Sequence, residues 1–359
     1  MDKLEKHMKK IAMICFSQTG YETGKRLAEE LEKTGAAVEL AAKSRYIPES
    51  IAESHQEWTG KQFQKSEGIV FIGACGIAVR SIAPFVADKK KDPAIIVSDE
   101  CGHYVISLLS GHLGGANELA QQIADLTGGI PVITTATDVH KKFAVDVFAK
   151  KNQCSIFPMP AAKEFSAALL KGEPVGFYTD FPYEGALPEG ICLCGKNGEP
   201  ADKTERPKIG MAVSVESSCA PFPVTVHIVP TALTLGVGCK KGKETEEIEG
   251  FFSEFIKKHG LSVQAFSGVA TIDLKKEEKG LLEFAKKWKL PFRTYSAEAL
   301  QKVPGSFSAS PFVKEITGVD NVCERSCLLD SGGKLAVSKC AGNGVTMAAA
   351  MKDWRIHFE

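Results

Sequence analysis

The chain has 359 residues and a mass of 38.6 kDa, which at roughly 100–200 residues per domain predicts two or three domains. Its 44 Lys plus Arg balance 44 Asp plus Glu, so there is no global electrostatic case for nucleic acid or an anionic membrane as partner. A composition that is 44% hydrophobic and 25% charged excludes a fibrous, disordered or disulfide-scaffold protein.

The basic start, Met1 to Lys10, leads into an apolar run of only Ile11–Phe16, which reads as a first strand and not as a signal peptide. No stretch approaches the ~18–20 apolar residues of a membrane helix. The eleven cysteines are scattered without a C-x-x-C framework, so reduced thiols in a cytoplasm are the expectation.

Along the first 138 residues strand and helix signals alternate. Strands are predicted at Ile11–Ser17, Val38–Ala42, Gly68–Ala74, Ala94–Asp99, Tyr104–Leu109 and Ile130–Thr135. Helices are predicted over Gly24–Leu31, closed by Gly35, over Ile77–Ala87, and over Gly114–Gly128. Such alternation argues for a mostly parallel sheet covered on both faces. From about residue 139 to 230, closely spaced prolines and the short strands Val175–Tyr178, Met211–Val215 and Val224–Val229 predict a smaller α+β middle domain. From Ala232 the alternation resumes. It runs through a strand ALTLGVG, a helix bearing Ile248, Phe251, Phe252 and Phe255, and strands at Val269–Leu274, Phe292–Tyr295, Lys334–Lys339 and Val345–Ala350. The expected architecture is therefore α/β, with N-terminal (1–138) and C-terminal (231–359) three-layer α/β/α domains joined by a middle domain (139–230).

The densest polar segment is SDECGHYVISLLSGHLGGANE, residues 98–118. There Ser110, Gly111 and His112 follow a strand, and Gly114, Gly115, Ala116 and Asn117 open a helix. A strand end beside a helix N-terminus suits an anion or a developing oxyanion, or else a glycine turn needed only for packing. Asp99 and Glu100 read as pocket carboxylates, or as a solvated strand end or helix cap. Cys101 and His103 could bind metal, but two ligands do not make a site. Thr134, Thr135 and Asp138, within TTATD, suit ligand contacts or an N-cap. Gly236-x-Gly238-Cys239-Lys240-Lys241-Gly242 lacks both the dinucleotide fingerprint and the P-loop ending, leaving a basic, glycine-lined anion loop or a solvated face. Cys323 and Cys327 read as buried, inert thiols.

At these residues the chain resembles a known family. GIVFIGACGIAVRSIAP, SGHLGGANELA and PVITTATD, with LTLGVGCKKG and LAVSKCAGNGVTMAAA further on, are similar to the cobalt-precorrin-5A hydrolases (CbiG) of anaerobic cobalamin biosynthesis. The resemblance covers residues 68–150 and 232–352. One departure is the segment after Glu324, where a more alanine-rich helix is expected.

The resemblance implies a hydrolase that opens the ring-A δ-lactone of a cobalt-bearing tetrapyrrole and releases acetaldehyde. Under it, His112 is the expected general base, since its ordinary pKa lies near neutrality. Backbone N–H groups at Gly114 and Gly115 are the expected oxyanion donors, and Asp99 or Glu100 would assist carbon–carbon cleavage. Arg80 and Lys240 would meet substrate carboxylates, with Ser110, Gly111, Asn117, Thr134, Thr135, Asp138 and Gly238 as further binding positions. Cobalt would arrive with the substrate, so no cofactor and no metal site of the protein's own are expected. Beyond the substrate, transient contacts with other enzymes of the pathway are the only partners expected. Two other readings stand beside this one: a non-catalytic tetrapyrrole-binding or channelling protein of the same pathway, and an α/β enzyme acting on a phosphate-bearing ligand.

Overall fold

The computed structural model describes residues 8, 10–88, 91–111, 114–134, 142–202, 205–309 and 311–358. They fall into two compact units, one ending at Lys142 and the other beginning at Phe143.

The first unit runs β1 (Lys10–Cys15), α1 (Gln18–Lys33), β2 (Ala37–Ala42), α2 (His55–Lys65), β3 (Gly68–Ile72), α3 (Cys75–Ile82), β4 (Ala94–Ser98), β5 (Tyr104–Leu109), α4 (Ala116–Thr127) and β6 (Ile130–Val132). The sheet order is β2-β1-β3-β4-β5-β6. Side chains alternate across it. Ile11, Met13 and Cys15 of β1 meet Leu27 and Leu31 of α1 and Leu119 and Ile123 of α4 on one face. Ala12 and Ile14 meet Trp58 of α2 and Ile82 of α3 on the other. Both faces are thus covered, and the three-layer expectation holds. Strands β1 to β4 are parallel, whereas β5 is antiparallel to β4 and parallel to β6.

Two helices differ from the sequence expectation. Helix α3 starts earlier than expected and stops at Ile82. Pro84 has no N–H to give the Arg80 carbonyl, which instead accepts from Gln56 Nε2 at 3.3 Å. Helix α2 was not expected. It is started by a capping box, in which Ser54 Oγ accepts from Glu57 N and the Glu57 carboxylate accepts from Ser54 N.

The second unit carries two five-stranded sheets and a two-stranded one among the described residues. Its first part comprises α5 (Val145–Lys151), β7 (Cys154–Phe157), α6 (Met159–Leu170), β8 (Val175–Thr179), β9 (Tyr183–Glu184), β10 (Ile191–Leu193), β11 (Ile209–Val213) and β12 (Val224–Pro230). The sheet order is β10-β8-β11-β12-β7, parallel except for β7. Gly176 and Gly210 on neighbouring strands leave room for the Phe222 ring, which a Cβ at either position would meet at 2.2 and 2.4 Å.

The second part comprises β13 (Leu233–Cys239), α7 (Thr245–Lys258), β14 (Phe266–Ile272), α8 (Lys279–Lys287), β15 (Phe292–Tyr295), α9 (Ala297–Gln301), α10 (Pro311–Thr317), α11 (Cys323–Ser331), β16 (Lys334–Gly342), β17 (Val345–Met351) and β18 (Ile356–His357). Its sheet order is β15-β14-β13-β17-β16. Strand β18 leaves this sheet and pairs with β9, which places Ile356 in the hydrophobic core of the first part. Among the described residues no helix is long and apolar enough to cross a membrane.

Helix α11 explains the departure after Glu324. It lies directly on the sheet, with Cys323 and Cys327 against Ala348 and Ala350. The seat needs small residues on both sides, and cysteine meets that need as alanine would. Burial pushes the Cys323 thiol up to about 11, so it is an inert packing group. Gly236 of β13 is the tightest point, because a Cβ there would stand 1.8 Å from the Cys323 carbonyl oxygen. Backbone cannot yield as a flexible side chain does. Gly236→Ala should therefore destabilise the fold by about 1–3 kcal/mol, the usual range for overpacking. Gly250, exposed on α7 with open space around its Cβ position, is the control; Gly250→Ala should stabilise by about 0.5–1 kcal/mol. Thermal midpoints of the two variants test the pair, and an unshifted Gly236→Ala protein would contradict the assigned contact.

Candidate functional site

The carboxyl edge of β1, β3 and β4 gathers one set of polar groups. Ser17, the N-cap of α1, accepts from Gly20 N at 3.1 Å and donates its hydroxyl to the Glu100 carboxylate at 2.5 Å. Thr23 Oγ1 holds the Glu100 carbonyl at 2.8 Å. The Glu100 carboxyl group thus sits at the N-terminus of α1, the end where the macrodipole favours acidic side chains. Asp99 has a different task. Its carboxylate accepts from Cys101 N at 2.9 Å and Tyr104 N at 2.6 Å, and so shapes the turn between β4 and β5. Partial burial works to raise its pKa. The N–H groups of Tyr104, Cys101 and His103 together outweigh that and hold it below the ordinary aspartate value. Arg80 is exposed, and its guanidinium folds back to the Gly76 carbonyl at 3.1 Å, at the end of α3 that follows β3.

Ser110 and Gly111, and Gly114 to Asn117 at the start of α4, lie at the other edge. Leu109 pairs with Ile95 near the start of β4, while Val105 pairs with Ser98 at its end. Five residues of strand, about 15 Å at ~3.3 Å per residue, thus separate Asp99 and Glu100 from Ser110. The expectation that Asp99 or Glu100 assists at the glycine loop meets this separation, since β5 runs against the strands before it. Ser110 takes a left-handed conformation (φ 61°), and its hydroxyl donates to the Asp92 carbonyl at 3.1 Å. Its own carbonyl accepts from Ala116 N, and that of Gly111 from Asn117 N, so these two donors at the start of α4 are already used. Asn117 is buried and accepts from Ser107 Oγ at 2.6 Å. Gly114 has no room for a side chain, since a Cβ would lie 2.3 Å from Ser110 Cβ. Gly115 caps the helix at φ 85°. Thr134 is exposed just past β6, which ends on this same edge. His112, Thr135 and Asp138 lie outside the described residues.

The third group is the loop after β13. The expected basic anion seat already holds a carboxylate of the protein itself. Gly242 N donates to Glu278 Oε1 at 2.7 Å, and Lys275 Nζ to Glu278 Oε2 at 2.8 Å. Burial works to raise the Glu278 pKa, and Lys275, Gly242 and Lys241 overcome it and bring it below the ordinary glutamate value. Gly280 lets α8 approach the loop, as a Cβ there would lie 2.0 Å from the Lys243 carbonyl oxygen. Gly238 is set by packing too, with Thr346 Oγ1 2.7 Å from its Cβ position. The Lys240 amide donates to the Gly344 carbonyl at 2.9 Å, and Lys240 itself is exposed.

The structure therefore brings Arg80, Asp99 and Glu100 to one edge of the first sheet. It brings Ser110, Gly111, Gly114, Gly115, Asn117 and Thr134 to the other. Sequence reasoning missed Ser17, whose signal was a serine just before a helical pattern, and Glu278, which had none. A cavity of about 380 Å³ in the second unit is lined by Lys151, Gln153, Lys352, Asp353, Trp354 and Arg355 among others, and none of the expected site residues borders it.

Comparison with known proteins bears on the family. The family models "Cobalamin synthesis G N-terminal", "Cobalamin biosynthesis central region" and "Cobalamin synthesis G C-terminus" match residues 57–138, 143–230 and 233–350. A cobalt-precorrin-5A hydrolase of Salmonella typhimurium is 34% identical over 344 residues, which is 94% of this chain and 96% of that protein. One from Priestia megaterium is 33% identical over 301 residues, 80% of this chain and 79% of that protein. A crystal structure of a cobalamin biosynthesis protein G homologue from Sulfolobus solfataricus aligns over 97% of this chain and 99% of its own, at 23% identity and a TM-score of 0.40. With near end-to-end similarity and three family regions in the same order along it, the chain belongs to the cobalt-precorrin-5A hydrolase family.

Proposed function

We propose that this protein hydrolyses cobalt-precorrin-5A by opening its ring-A δ-lactone and releasing the two-carbon bridge unit as acetaldehyde. The observation that carries the proposal is the 34% identity to a cobalt-precorrin-5A hydrolase over 94% of the chain. One water is consumed. Its hydroxide adds to the lactone carbonyl, and the ring ester C–O bond breaks to leave a carboxylate and a bridge alkoxide. Collapse of the alkoxide to the aldehyde breaks the bridge carbon–carbon bond. That electron pair passes into the conjugated macrocycle, which takes up the remaining proton. The cobalt belongs to the substrate.

The assigned roles follow residue chemistry. His112 is the proposed general base for water, since a neutral imidazole can take a proton near neutral pH and return it. The N–H groups of Gly114 and Gly115 are proposed as oxyanion donors, because those of Ala116 and Asn117 are already bonded within the turn. Asn117 and Ser110 act as positioning residues for that turn. Asp99 and Glu100 are left out of this step, since the hairpin carries them to the far edge of the sheet. Arg80 and Lys240, both exposed, are proposed partners for the peripheral carboxylates.

Incubating the protein with the cobalt-bound lactone macrocycle, then assaying aldehyde and product mass, tests the reaction. Tight binding without acetaldehyde would favour the carrier reading instead. His112→Ala should fold normally, keep most of its substrate affinity, and release acetaldehyde at least about a hundredfold more slowly. Near-normal turnover in that variant would remove His112 as the base.

Lys240→Ala should raise the half-saturating substrate concentration about tenfold or more and leave turnover nearly unchanged. That is the expected loss of one charge-assisted hydrogen bond of about 1.5–3 kcal/mol made equally in ground and transition states. Unchanged affinity would return Lys240 to a solvated face.

A further inference from the structure

The turn between β4 and β5 carries three groups of metal-ligating type that the proposed reaction does not use. Asp99, Cys101 and His103 each offer one ligand atom, and those atoms lie within 4.8 Å of one another. The sequence showed only a Cys-x-His pair; the folded turn adds the carboxylate. His103 Nδ1 is 3.8 Å from Asp99 Oδ1. That is close to the separation of two ligands around one tetrahedral ion bound at about 2.0–2.3 Å.

The main chain beneath all three groups is held in place. Gly102 N bonds to the Asp99 carbonyl at 3.1 Å, and Ile130 N to the His103 carbonyl at 2.7 Å. Thr127 Oγ1 donates to the Gly102 carbonyl at 3.0 Å. Gly102 takes φ 79°, a left-handed conformation that turns the chain between the two outer ligands and that glycine adopts without strain. Cys101 and His103 are exposed, so their side chains can converge on an ion without disturbing the core. Glu100 is turned to Ser17 and is no fourth ligand.

A thiolate, an imidazole and a carboxylate together select a borderline ion. Magnesium and calcium prefer oxygen ligands throughout, whereas zinc and its neighbours accept all three donors. We propose that the 99–103 turn binds a late first-row divalent cation of the zinc type through Asp99, Cys101 and His103, with water completing the coordination. The Cys101 thiol loses its proton to solvent as the metal–sulfur bond forms, with no change in oxidation state. An exposed site with three protein ligands exchanges its ion freely, unlike a closed structural site.

Co²⁺ is a suitable probe, since a thiolate ligand gives it a charge-transfer absorption in the near ultraviolet. Titrating the full chain with Co²⁺ should produce that band to one equivalent, and Zn²⁺ should abolish it by displacement. Cys101→Ser should remove the band, and His103→Ala should weaken Co²⁺ binding at least tenfold. Both variants should keep the metal-free thermal midpoint of the parent. Added Zn²⁺ should raise the midpoint of the parent and not that of Cys101→Ser. Absence of the band, or its survival in Cys101→Ser, would overturn the proposal.

Discussion

Much of the first unit depends on how Asp99 reverses the chain. With both carboxylate oxygens engaged by amides of the turn, β4 leads into β5 through a hairpin and not a crossover. That one reversal decides which edge of the sheet each later residue reaches. It sends Ser110, Gly111 and the start of α4 to the edge where the parallel strands begin, and leaves Glu100 beside Ser17 at the edge where they end. The N–H groups that the Asp99 carboxylate accepts hold its pKa below the ordinary aspartate value, against the opposing effect of partial burial.

The C-terminal sheet uses the same device with a longer reach. Glu278 accepts from Gly242 and pairs with Lys275, both charged side chains being largely buried. Such a pair repays its desolvation only when the remaining hydrogen bonds are made, and here the loop amide makes one of them. The loop after β13 is consequently shaped by a protein carboxylate, whatever ligand it meets. At the opposite edge Asp330 accepts from Arg293, Tyr295 and Thr234, tying the end of α11 to two strands, β15 and β13. Burial, and then Asp330 itself, push the Tyr295 phenol up to about 12, which keeps it a hydrogen-bond donor.

The alternation of apolar runs and helical stripes made the layers legible, because one face of each element must be buried. The reversal at β5 was legible too. Only five residues separate Ser98 from Tyr104, and a parallel crossover needs a dozen or more. Glu100 follows the end of β4 and Ser110 the end of β5, and two antiparallel strands end on opposite edges of a sheet. Helix α2 was signalled by the capping spacing of Ser54 and Glu57. Other features had no local signal. The bond from Gly242 to Glu278 joins residues 36 apart, and the small-residue seat under α11 draws on three separate segments.

The return of β18 to β9 affects how the chain must fold. Asn152 exchanges two hydrogen bonds with the backbone of His357 across 205 residues, and Phe358 stacks on Phe148 beside them. The hydrophobic core beside the β7 sheet therefore stays unfinished while the next sheet is being synthesised, with the place of Ile356 still vacant. Closing so long a loop costs only slightly more entropy than closing a short one, yet it delays the contact until nearly all of the chain is available. The order of assembly would then run against the order of synthesis, with β18 completing the earlier core.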